Sequence, residues 1–247
     1  MRANANKVFI VIAGALMAAC GSDTGRARVD FDVTVQSQQL SGAPNEFGYT
    51  VQLTRATFTP SRLAFFEGEP LFTKTLPQRL GDWLIAPAYA HPGHYTPGEA
   101  LGDILVERQF DLLNDASMPW GRGIGVTGDY ASAELDLGNA TSAAIVLEGT
   151  ATDAAGTIPF TATLDGTQQI IGLTAGFEVE DVPVEIVLHV DLNAIVERID
   201  FGRAAPGDEV NDDQAPLPLV RDTQPFNAFS RASIGNGTYR FEMKETE

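Results

Sequence analysis

Apolar and polar residues alternate with period two along most of this chain. Val29, Phe31, Val33 and Val35 alternate with Asp30, Asp32, Thr34 and Gln36, the signature of a strand with one buried face. Tyr49, Val51 and Leu53 predict a second strand, and 57–66 holds a third that resumes after Pro60. Residues 29–66 therefore read as the first edge of a sandwich. Further strands are predicted within 124–137, which alternates in part with Gly125 and Gly128 at bulge or turn positions, and at 143–152, 158–164 and 168–180. Hairpin signals at 153–156 and at Asp165-Gly166 separate the last three. The clearest pattern is 184–193. Val184, Ile186, Leu188, Val190 and Leu192 share one face, while Glu185, Val187, His189, Asp191 and Asn193 share the other. A single helical turn over 193–198 and a last strand at Tyr239, Phe241 and Met243 complete the reading. Short strands separated by turns predict an all-β fold, an antiparallel β-sandwich of immunoglobulin-like or related type. No βαβ alternation and no glycine-rich phosphate loop is present, which excludes Rossmann and P-loop folds.

Two stretches break the pattern. Residues 65–85 carry Phe65, Phe66, Leu71, Phe72, Leu76, Leu80, Trp83, Leu84 and Ile85, cut by Gly68, Pro70, Pro77 and Gly81. This reads as an aromatic insertion crossing one end of the sandwich, bounded by 65 and 113, with a short helix at 76–83. Residues 206–218 hold Asp208, Glu209, Asp212 and Asp213 among three prolines, a solvated acidic loop. It lacks the glycine and the closing glutamate of a calcium loop.

The first nineteen residues are set apart from the fold. Arg2 and Lys7 precede an apolar run, 8–19, that is too short to span a bilayer as a mature helix. The run ends Leu16-Met17-Ala18-Ala19-Cys20-Gly21, which resembles the lipobox of bacterial lipoproteins with Met17 in place of the usual Leu. The resemblance implies cleavage before Cys20 and a diacylglyceryl thioether on it. Cys20 is the only cysteine, and lipidation gives an otherwise odd thiol in a secreted protein a purpose. Gly21 is not the Asp that retains lipoproteins at the inner membrane, so the expected address is the outer membrane of a Gram-negative cell. Residues 1–19 are thus read as signal peptide, 20–28 as tether and 29–247 as one sandwich domain.

Charge narrows the partners. The formal net charge of −17 is deepened by two once the leader takes Arg2 and Lys7 away. So acidic a chain does not bind nucleic acid through its general field. The membrane is expected to be met through the lipid anchor, and an outer-membrane protein is an expected partner.

The densest candidate chemistry is His91-Pro92-Gly93-His94, two of the three histidines in the chain. Pro presets φ and Gly tolerates positive φ, so the dipeptide makes a turn. Such a turn brings two imidazoles together, and neutral imidazole is the commonest ligand of Zn and Cu. A complete site needs three or four ligands. His189 is the third-ligand candidate, and Glu99, Asp103, Glu107 and Tyr95 are nearby oxygen candidates. The same tetrapeptide equally serves as a plain turn with exposed histidines, or as part of an organic-ligand site, and His189 as an exposed strand histidine.

Three further features extend the resemblance: the F-x-V-x-V first strand (Phe31, Val33, Val35), Gly156-Thr157-Ile158-Pro159-Phe160, and the late strand Ile186–Leu192. With the lipoprotein leader they resemble the MbnP-like family of bacterial lipoproteins. That resemblance implies an all-β sandwich, copper binding, and di-haem or TonB-dependent partners encoded nearby. The chain lacks the family's four cysteines. No G-x-S-x-G or H-E-x-x-H motif and no free cysteine is left for nucleophilic work, so no enzyme is expected. Two functions stay open: a lipoprotein that binds copper or zinc through the His-Pro-Gly-His turn, and a non-enzymatic module presenting its aromatic loop to a partner protein.

Overall fold

The computed structural model describes residues 25–69, 97–114, 116–204 and 215–245. Among them run β1 (Arg28–Gln38), β2 (Thr50–Phe58), β3 (Pro60–Phe66), β4 (Ala100–Ile104), β5 (Phe110–Asp111), β6 (Met118–Val126), β7 (Gly128–Leu137), β8 (Ile145–Thr152), β9 (Thr157–Leu164), β10 (Gln168–Val179), β11 (Val184–Asp191), β12 (Leu217–Pro218) and β13 (Tyr239–Glu245). Two short helices, α1 (Leu192–Val196) and α2 (Gln224–Ser233), interrupt them. The fold is all-β, as the alternation predicts.

The strands form two sheets. Eight lie in the order β10-β7-β3-β4-β6-β1-β11-β13, and five in the order β12-β9-β8-β2-β5. The edge strands β10 and β13 of the larger sheet approach one another, so that this sheet curls nearly into a barrel. Its inside is filled with aromatic rings. Phe65 of β3 stands 5.9 Å from Phe31 of β1, 5.3 Å from Tyr130 of β7, 5.7 Å from Phe177 of β10 and 5.5 Å from Phe241 of β13, centroid to centroid. Rings from opposite walls touch across the middle, and edge-on contacts of this kind add to the gain from burial.

Glycines in the wall make the room. A Cβ on Gly123 of β6 would lie 2.2 Å from the Phe31 ring, and one on Gly125 would lie 2.4 Å from the Tyr130 hydroxyl. The rings occupy the space that side chains there would take.

The smaller sheet continues from one end of the barrel. β2 runs into β3, β7 into β8, and β9 into β10, each pair carrying the chain from one sheet to the other. The links bond to each other: Thr59 N–H donates to Ala144 O, Gly138 N–H to Thr59 O, and Ala144 N–H to Leu164 O. The helices sit at this same end. β1 runs parallel to β11, with Gln36 opposite His189. It therefore lies in the interior of the large sheet, between β6 and β11, and not at a first edge as the sequence suggested. At the opposite end of the barrel β3 turns out after Phe66 and β4 returns.

The expected insertion over 65–113 is narrower than predicted. Phe65 is fully buried core, and β4 and β5 belong to the large and small sheets respectively. A bulge at Leu101 hides the alternation of β4, since Phe65 faces Gly102 while Phe66 faces Ala100. The predicted helix at 76–83 lies outside the described residues.

Candidate functional site

Three places bear on function. The first is the neck of the excursion that carries the histidine turn. Glu67 N–H donates to Glu99 O at 3.0 Å and Gly68 N–H to Pro97 O at 2.7 Å, so the chain leaves and returns as a hydrogen-bonded ladder. Gly98 takes the left-handed φ of 75° that closes it, a conformation that favours glycine. Arg26 binds both sides of the neck, with Nη2 3.0 Å from Glu67 and Nη1 3.7 Å from Glu99. Glu99 is half-exposed here, with Arg26 beside it. Tyr95, His91 and His94 lie outside the described residues.

The second place is His189. Its Nε2 stands 2.9 Å from Glu242 Oε2 on β13, with Gln36 opposite on β1 and Arg240 opposite on β13. The hydrogen bond from His189 holds the Glu242 carboxyl below its ordinary range, helped by the positive charges of Lys244 and Arg240 against a smaller opposing effect of burial. Among the described residues, His189 does not meet the other proposed ligands. Asp103 aligns with Ile124, Ile124 with Asp30, and Gln36 with His189. Three strand spacings and six residues thus separate Asp103 from His189, more than about 20 Å. Glu99 is further still, and Glu107 is engaged by Asn139 and Ser142.

The copper that the family resemblance implies is therefore not fitted by the described residues. No group of three His, Cys, Asp or Glu among them could hold an ion, and the chain has one cysteine. The register separates His189 from Asp103, and the positions of His91 and His94 lie outside the described residues.

The third place was not foreseen. At the helix end, a groove of about 870 Å³ runs between α1, α2 and the 45–48 loop. Its walls are built on fixed backbone. Asn45 is buried, and its amide donates to Val196 O and Ile199 O while its oxygen accepts from Phe47 N–H and Tyr49 N–H. Gln224 clasps the other side, donating to Arg198 O and accepting from Asp200 N–H. Phe47 is 47 % exposed in this groove. Arg198 pairs with Glu46 at 3.1 Å, Asn227 and Arg231 offer donors, and Ala194, Ala228 and Ala232 line the floor. No histidine, cysteine or aspartate lines it, and the Thr238 hydroxyl donates to Ala232 O at 2.6 Å. The arrangement suits binding of an apolar side chain with acceptor groups around it, and offers no nucleophile with a base beside it. Sequence did carry a signal for α2. Thr223 followed by Gln224-Pro225 is an N-cap with proline in the first turn.

Comparison with protein-family models, with curated proteins and with solved structures returns no match.

Proposed function

We propose that this chain is a non-enzymatic binding module of the bacterial cell envelope, held to the outer membrane by a lipid on Cys20. Its partner is a protein received in the groove around Phe47. The observation that carries the reading is a contrast. The barrel interior is filled by rings from opposite walls, whereas the groove is open, rigidly walled and exposes an aromatic residue. Aromatic side chains ringed by polar groups are typical interface anchors. Cys20 lies outside the described residues, and the lipid rests on the leader and the lone cysteine. In this reading the finer architecture is a partly rolled β-sandwich, the large sheet curled around its aromatic core.

Two measurements test it. Cys20→Ser moves the protein from the membrane fraction to the periplasm; an unchanged location removes the anchor. A photo-crosslinking amino acid at Phe47 gives a discrete adduct in intact cells, and one at exposed Ile171 does not. Equal labelling from both positions, or none from Phe47, removes the groove.

A second reading keeps the metal. The neck holds the ends of the histidine-bearing excursion together, with half-exposed Glu99 five residues from His94. In this reading His91, His94 and Glu99 bind Zn²⁺ or Cu²⁺ without His189. Calorimetric titration of the metal-stripped protein then gives binding that fades below about pH 6, as the imidazoles protonate, and that is lost in the double variant His91→Ala, His94→Ala. Equal binding by both proteins leaves the first reading alone.

A further inference from the structure

The two ends of the barrel differ in what a membrane anchor does to them. β1 begins at Arg28, level with the end of β6, the end of β13 and the start of β11. The N-terminal chain thus emerges at the end opposite the helices. It is already fixed at Arg26, which binds Glu67 and Glu99, and at Ala27, whose N–H donates to Thr127 Oγ1 and whose carbonyl accepts from Thr127 N–H. Only four residues lie between Cys20 and Gly25, and the five residue steps they make span at most about 18 Å.

From this we infer that the Arg26 end of the barrel faces the lipid surface and the α1–α2 groove is held away from it. The inference rests on the lipidation of Cys20 proposed above. The tether keeps the Arg26 end close whatever the tilt. That end carries Arg26 and Arg28 beside the tether, with Glu67 and Glu99 paired to Arg26, and the helix end lies a full strand length beyond it. The eleven residues of β1 then set the groove about 35 Å further from the lipid than the tether. A partner of the groove must consequently reach it from the aqueous side.

The test uses the full lipidated chain, purified from membranes and returned to vesicles containing anionic lipid and a headgroup-borne quencher. Cys20 is the only native cysteine and its sulfur is blocked by the lipid, so a thiol-reactive fluorophore marks an engineered cysteine alone. Asp129→Cys reports the Arg26 end, and Asn227→Cys reports the groove; both positions are exposed. The expected result is quenching of the first label about threefold or more above the second, given the separation that the strand length sets. Equal quenching means a molecule lying on its side, and stronger quenching at Asn227 means an inverted one. Either overturns the inference while leaving the anchor intact. Fluorophore on Cys20 itself, with no flotation of the protein with vesicles, overturns the lipidation on which the inference rests.

Discussion

Tyr130 shows how one buried side chain ties the barrel to pH. Its ring stacks on Phe177 and touches Phe65, and its hydroxyl lies 3.1 Å from Leu101 O and 3.0 Å from Val126 O, which share its single proton. Burial pushes its pKa from 10.0 up to about 12, opposed by the hydrogen bond to Val126 and by the positive charge of Arg26. A raised pKa means that the folded state holds the proton more tightly than the unfolded chain. The stabilisation is complete below pH 10 and is lost as pH climbs from 10 toward 12. The loss comes to about 2–3 kcal/mol at 1.36 kcal/mol per unit. Tyr130→Phe is expected to flatten the fall in denaturation midpoint over that window, while costing some stability at neutral pH from the carbonyls left without their donor. Denaturant titrations at a series of alkaline pH values measure both. An unchanged alkaline slope would show that another group governs it. Of the glycines opposite these rings, Gly125 was visible in sequence only as a bulge or turn residue. Their part in making space depends on which rings the fold sets against them.

At the scale of elements, α1 illustrates a boundary decided by one cap. β11 ends at Asp191, whose carboxylate accepts from Asn193 N–H at 2.8 Å and Ala194 N–H at 3.3 Å. Ending the strand there turns the chain into the wall of the groove, where Ala194 and Arg198 lie. Asp191→Ala is expected to cost about 1 kcal/mol, the usual size of a lost N-cap, and to weaken crosslinking from Phe47 by loosening that wall. The comparison variant Asp191→Asn, which keeps an acceptor at the cap, should restore both. Recovery of stability without recovery of crosslinking would detach α1 from the groove. The one helical turn expected over 193–198 and the observed α1 differ by a residue or two. β4 was missed for a different reason, because its bulge erased the period on which strand prediction relies.

At the scale of the whole molecule, the chain passes repeatedly between the sheets, and the β2–β3, β7–β8 and β9–β10 crossings bond to each other. The sheets therefore cannot part without breaking continuous backbone ladders, and the parallel β1–β11 pair joins residues 153 positions apart, Phe31 with Val184. Unfolding is expected to be a single transition. Trp120 is buried in β6 of the large sheet, and its fluorescence should change together with the far-ultraviolet circular dichroism of both sheets. Two separated transitions would show that the sheets are independent units. The acidic loop predicted at 206–218 falls mostly outside the described residues, with Leu217–Pro218 joining the small sheet as β12.

Period-two alternation determined the all-β class and most strands, because a half-buried strand must place apolar residues on alternate positions wherever it lies in the fold. The hairpin at Asp153 was equally local: its carboxylate accepts from Ala155 and Gly156 N–H, within reach of its own turn. The lipobox-like leader is likewise a matter of adjacent residues. Which strands are neighbours was not written in that pattern. β1 beside β11, the curling of the large sheet and the meeting of Phe65 with Phe241 follow from contacts between residues far apart in sequence. The candidate site divided along the same line. The paired histidines were noticed because they are close in sequence, whereas the surroundings of His189 depended on strand order and register, which set it beside Glu242 and away from Asp103. The groove at Phe47 is assembled from three segments, and only their packing against one another creates it.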